Sequence, residues 1–296
     1  MKKTLDPAWL DAQYNNRARV RDWEQLLAGW GERSAAARAT RSCRIGVRYG
    51  DGPNETLDVF PTTRAEAPVL VFIHGGYWRS LDKRDVSFVA PAFVREGVLV
   101  VVPNYALCPA VTIETIAMQV VRAVAWTRAN AALYGGDPGR IAVAGHSAGG
   151  HLAAMALSCH WPALDARLPR TLLRGALSIS GLYDLEPLRH APFLASDLRL
   201  TPAAVKKLSP ACFPAPPGRL MVAAGALESD EFLRQNKLIR DAWGAARVPV
   251  CETIPGAHHF DVLDSLADPA GRLHRLALEL LAIESSDANE HHCKPH

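Results

Sequence analysis

Short apolar runs alternate with longer mixed stretches from residue 44 onward. Residues 44–49 alternate polar and apolar side chains, 51–54 (Asp-Gly-Pro-Asn) form a turn cluster, and 56–60 alternate again. That pattern predicts an antiparallel hairpin. Apolar runs follow at 69–73, 98–102, 141–144, 176–179, 220–223 and 249–254, bounded by turn residues. The stretches at 86–96, 113–134, 148–159, 231–243 and 269–283 are expected to be helices. Strands covered on both faces read as continuous apolar runs. The alternation therefore predicts an α/β fold: a mostly parallel central sheet, helices on both faces, and the hairpin as its antiparallel N-terminal edge.

Three segments depart from this rhythm. Residues 1–40 read as helical and polar, with Trp9, Tyr14, Trp23 and Trp30 on an Arg-rich background. They are expected to pack on the core, the Trp side chains serving helix docking. Residues 181–218 are rich in Pro and lack periodicity, which points to an insert or cap between strands. The polar end at 285–296, with His291, His292 and His296, is expected to be a flexible tail. No repeat or linker divides residues 41–284, so they are expected to form one domain.

Composition narrows the class. With 49% apolar and 21% charged residues among 296, wholesale disorder is excluded. The net charge of +3, and arginines scattered rather than clustered, argue against nucleic acid as a partner. No apolar run approaches the ~20 residues of a membrane span. Asp6, Pro7 and Asp11 interrupt any signal core behind Met1-Lys2-Lys3. The six cysteines are dispersed, with no C-x-x-C pair, so reduced thiols and a cytoplasmic location are expected.

The strongest chemical signal is Gly145-His146-Ser147-Ala148-Gly149, between the run at 141–144 and a helical stretch. A G-x-S-x-G sequence in that context is a nucleophile elbow, a tight turn that presents the serine hydroxyl above the sheet. A serine needs a base and a carboxylate, here expected after later strands with the acid first. The run at 220–223 leads into Glu228, Asp230 and Glu231, three candidates for the acid. Glu231 falls behind because it suits the first turn of a helix. The run ending at 254 leads into His258 and His259, with Phe260 packing favouring His259 as base. Before both, His74-Gly75-Gly76-Tyr77-Trp78 follows a buried run, and its glycines let backbone N–H groups approach a substrate oxygen. Gly75, Gly76 and Ala148 are the expected oxyanion donors, with Tyr77 as a further one, and His74 is expected to brace the loop.

Together these segments resemble the α/β-hydrolase superfamily, and within it the kynurenine formamidase (arylformamidase) group. The likeness rests on His74-Gly75-Gly76-Tyr77-Trp78, on Gly145 to Leu152, on Glu228 to Gln235 and on His259-Phe260-Asp261. Weaker echoes are Tyr14-Asn15-Asn16-Arg17 and Ser180 to Leu185. The resemblance implies Ser147 as nucleophile, His259 as base and Glu228 as acid, where the family commonly has aspartate; Asp230 is the reserve. It implies hydrolysis of N-formylkynurenine to kynurenine and formate, with no metal and no organic cofactor. An aromatic substrate calls for a flat apolar pocket, for which Tyr77, Trp78 and Tyr105 are the expected walls. The expected partner is a small aromatic amide or ester, with no nucleic acid and no membrane, and a homodimer stays open. The rivals are a carboxylesterase for short-chain or aryl esters and a non-catalytic binding protein on the same scaffold.

Overall fold

The computed structural model describes residues 6–40 and 42–282, so the expected tail at 285–296 lies outside the described residues. Among them, eight strands form one sheet: β1 (Arg44–Arg48), β2 (Thr56–Phe60), β3 (Ala67–Ile73), β4 (Leu99–Pro103), β5 (Gly136–His146), β6 (Leu173–Ile179), β7 (Arg219–Gly225) and β8 (Cys251–Ile254). Their order across the sheet is β1-β2-β4-β3-β5-β6-β7-β8. The β1–β2 and β2–β4 pairings are antiparallel, and the others are parallel. The hairpin edge and the parallel body are thus as expected.

Each apolar run divides its side chains between two cores. All seven residues of β3 are buried. Val69, Val71 and Ile73 join the cluster under the helices Ile113–Asn130 and Ala148–Leu157, while Leu70 and Phe72 join the opposite one, which holds Trp30, Phe93 and Leu276. Burying one such side chain stabilises by roughly 1.5–3 kcal/mol, so a central strand without polar positions is favoured.

Local chemistry moves several boundaries. The helix expected at 86–96 is broken, with α-helical turns at Lys83–Val86 and Ala90–Arg95 around a 3-10 turn. Pro91 lacks an N–H and fits the opening turn of the second piece, which forces the restart. Pro249 cannot donate to a ladder, and β8 begins at Cys251. Residues 6–40 fold as helices Pro7–Tyr14, Asn16–Arg19 and Trp23–Thr40, the first two opened by side-chain caps from Asp6 and Asn15. The 181–218 segment contains helices Glu186–Arg189, Pro192–Leu198 and Pro202–Leu208, each with proline in its first turn.

Five cysteines among the described residues are free thiols. No described helix is long and apolar enough to cross a membrane. No described group of three or more His, Cys, Asp and Glu could hold a metal ion.

Candidate active site

β5 ends at His146, and the helix Ala148–Leu157 begins one residue later, leaving Ser147 alone at the turn. Its backbone takes φ 56° and ψ −118°, a strained conformation for a residue with a Cβ. The Ser147 N–H is held by the Ile179 carbonyl at 2.8 Å. Gly149 lets this helix press on the end of β3, since a Cβ there would lie 2.1 Å from the Ile73 oxygen.

Two later loops bring partners to that serine. His259 Nε2 lies 3.1 Å from Ser147 Oγ, and His259 Nδ1 lies 2.7 Å from Glu228 Oε2. A carboxylate only accepts, so Nδ1 carries the proton and Nε2 is free to receive one from the hydroxyl. Glu228 is itself fixed: its Oε1 accepts from Ser180 Oγ at 2.5 Å and from the Gly225 N–H at 2.7 Å. All three side chains are buried. Of the other acid candidates, Asp230 is exposed on the first turn of the helix Asp230–Trp243. Glu231 is buried but accepts from Tyr14 Oη at 2.6 Å and pairs with Arg234. His258 is a loop residue whose ring binds Asp261.

His146 was not singled out in the sequence, yet it braces this arrangement. Its Nε2 donates to the His259 carbonyl at 2.8 Å, and the two rings lie 4.7 Å apart. Burial, and then the nearby His259, pull the His146 pKa well below the usual imidazole range, which keeps it neutral. Ser180, quoted only within a weaker echo and given no role there, is the carboxylate's second donor. Both roles depend on long-range contacts that leave no local signature.

The loop after β3 approaches from the other side. Gly75 lies directly against the elbow, where a Cβ would be 2.7 Å from the His146 oxygen and 3.1 Å from Ser147 Cβ. Gly76, Tyr77 and Trp78 all have positive φ, at 98°, 52° and 56°. Only glycine fits at 76, since a Cβ would come within 2.1 Å of the Ser80 oxygen. The Gly76 and Ala148 N–H groups donate to no acceptor among the described residues. His74, fully buried, bridges the Gly75 carbonyl and Asn104 Oδ1 at 2.9 and 3.2 Å, the bracing expected of it.

The aromatic walls need correction. Tyr77 does line the cavity, with its hydroxyl tied to the Tyr14 carbonyl. Trp78 does not: it is fully buried and sits edge-on to His151, ring centroids 5.0 Å apart. Nor does Tyr105, which stacks on His74 at 4.0 Å and donates to the His74 and Gly75 carbonyls. Both are spent on packing behind the loop, where burial is greater. The walls come instead from Trp30, Phe193, Phe260 and Leu27, around a cavity that reaches Ser147 and His259. Trp30, expected only to dock a helix, thus serves core and cavity together, and Phe193 comes from the 181–218 segment.

A family model described as BD-FAE matches residues 57–173. The chain is 29% identical over 294 residues to a kynurenine formamidase of Salmo salar, covering 95% of this chain and 96% of that protein. It is 30% identical over 254 residues to a kynurenine formamidase of Danio rerio, covering 83% and 84%. The solved structure of a candidate thioesterase from Silicibacter sp. TM1040 superposes with a TM-score of 0.78 at 31% identity, covering 89% of this chain and 97% of that one.

Proposed function

The chain belongs to the kynurenine formamidase-like group of α/β-hydrolases, and from that premise we propose that it hydrolyses a small aromatic formamide, N-formylkynurenine, to kynurenine and formate. The observation that carries the proposal is the continuous hydrogen-bond chain Ser147–His259–Glu228 opening into an aromatic-walled cavity. Ser147 Oγ attacks the formyl carbon while His259 Nε2 takes its proton, and Glu228 stabilises the imidazolium. The carbonyl oxygen becomes an oxyanion received by the Gly76 and Ala148 N–H groups, with Gly75 opening the way to them. The intermediate collapses, and the C–N bond breaks as His259 returns the proton to the aryl amine. Water, deprotonated by His259, then cleaves the formyl ester of Ser147, releasing formate and restoring the hydroxyl. Tyr77, Trp30 and Phe193 hold the aryl ring. Each step uses side chains, backbone and one water, and the dispersed cysteines favour the cytoplasm as its location.

The carboxylesterase alternative uses the same machinery, because the triad acts on any reachable acyl group. Comparing kcat/KM for N-formylkynurenine with that for p-nitrophenyl acetate, each against Ser147→Ala, separates the two. A formamidase also cleaves simple formanilides, whose amine must be protonated to leave. An ester preference of several hundredfold rejects the formamidase assignment, and activity surviving in Ser147→Ala rejects the nucleophile.

A further inference from the structure

The cavity above Ser147 carries charge of one sign. Arg17 and Arg79 line it, and no Asp or Glu does. Arg79 is neutralised, its guanidinium paired with Asp197 and donating to the Phe193 carbonyl at 2.8 Å. Arg17 is not. Its contacts are Ser80 Oγ at 3.3 Å and the face of Trp23, 4.7 Å from the ring centroid, and no carboxylate among the described residues pairs with it. Partial burial, and then repulsion from Arg79, draw its pKa down, as befits a cation without a counter-ion.

The preceding residue supplies a second donor. Asn16 also lines the cavity, is only 5% exposed, and its buried Nδ2 has no hydrogen-bond partner. A buried, unpaired amide N–H is costly, so the pair would gain by receiving an acceptor with two oxygens. A planar guanidinium and an amide N–H lining one cavity suit a carboxylate better than a neutral carbonyl.

We propose that Asn16 and Arg17 form a carboxylate-binding subsite that selects anionic substrates over neutral ones at this active site. This deepens the formamidase reading and rests on it for one point: a formyl group has no room for a charge, so the carboxylate belongs to the departing amine. Arg17 also touches the oxyanion loop through Ser80, whose hydroxyl donates to the Gly76 carbonyl at 3.0 Å. Binding energy from the remote carboxylate is therefore available at the reacting carbonyl, and neutral substrates lose kcat as well as affinity.

The test uses two matched substrate pairs: N-formylkynurenine with its α-carboxamide, and a carboxylate-bearing aryl acetate with its carboxamide. The wild-type protein is expected to favour the anionic member by about ten- to one-hundredfold in kcat/KM, the range for a charge-assisted hydrogen bond. Arg17→Gln collapses that preference to about twofold or less, Arg17→Lys restores part of it, and Asn16→Ala reduces it. Raising the ionic strength shrinks the wild-type preference, because the guanidinium is partly exposed. An absent preference in the wild type, for whichever pair it hydrolyses, overturns the proposal. So does an Arg17→Gln variant that loses equally on both members, since that marks damage transmitted through Ser80 rather than lost recognition. If only the ester pair turns over and its preference responds to Arg17, the formamidase reading fails while the subsite stands. Turnover of neither anionic member overturns both.

Discussion

Replacing Glu228 by glutamine changes one atom and tests the whole relay. Oε1 accepts the Gly225 N–H at 2.7 Å and the Ser180 hydroxyl at 2.5 Å, so the new amide oxygen must stay on that side. An NH2 turned toward the Gly225 N–H would set donor against donor, at about 1–3 kcal/mol. The NH2 therefore faces His259 Nδ1, which the carboxylate now meets at 2.7 Å. To accept from it, Nδ1 must lose its proton, and Nε2 gains one. The imidazole is then a donor toward Ser147 and cannot take the hydroxyl proton. A wrong-tautomer substitution of this kind lowers kcat by about 10⁴, equivalent to about 5.5 kcal/mol of barrier. The fold keeps its volume and all three bonds at this position, the one to His259 reversed in direction, so thermal unfolding should move little. Steady-state kinetics on N-formylkynurenine, alongside a melting curve, reads both quantities. Asp230→Asn is the control and should stay within about twofold of wild type, its carboxylate being exposed on a helix turn. A Glu228→Gln variant keeping more than a tenth of wild-type kcat, or an Asp230→Asn variant losing as much, would refute the reasoning.

Three further outcomes are expected. Lys83→Met strands Asp58, whose side chain is fully buried and paired at 2.6 Å, and should cost about 3–5 kcal/mol of stability by denaturant titration; a loss below 1 kcal/mol contradicts the pairing's role. Phe193→Ala should raise KM for an aryl formamide by about tenfold while sparing an alkyl formamide, since it removes one aromatic wall of the cavity; equal effects on both count against that wall. Burial holds His151 at a pKa of about 4, against 6.5 in the open chain. Above the latter value neither state is protonated. As pH falls below it the unfolded chain gains the proton first, so stability drops by about 1.4 kcal/mol per pH unit, or about 2 kcal/mol by pH 5. His151→Gln should reduce the slope between pH 7 and 5 by about that amount, leaving the share of the buried His146 and His74, and an unchanged slope disproves it.

The pattern of apolar runs was enough to place the strands because a strand covered on both faces has no polar position to disguise it. Val69, Val71 and Ile73 against Leu70 and Phe72 show why: successive side chains feed opposite cores, and both demand hydrocarbon. Boundaries were less legible where a single proline intervened, as at Pro91 and Pro249. The elbow was legible because its geometry is local and needs small residues around Ser147.

Other features belong to the assembled molecule. Between Glu228 and Asp230, and between His258 and His259, one or two positions of chain decide nothing. The choice comes from which side chain the turned-in loop aims at Ser147 and which it leaves to solvent. Aromatic residues carry the same ambiguity: Trp78 and Tyr105 look like a substrate wall beside the glycine loop, yet the packed structure uses them as backing and recruits Trp30 and Phe193 from distant segments. Element type and the identity of the nucleophile follow from local periodicity and turn chemistry, which act over a few bonds. Partner choice and cavity shape follow from burial, which depends on every element that arrives in the same place.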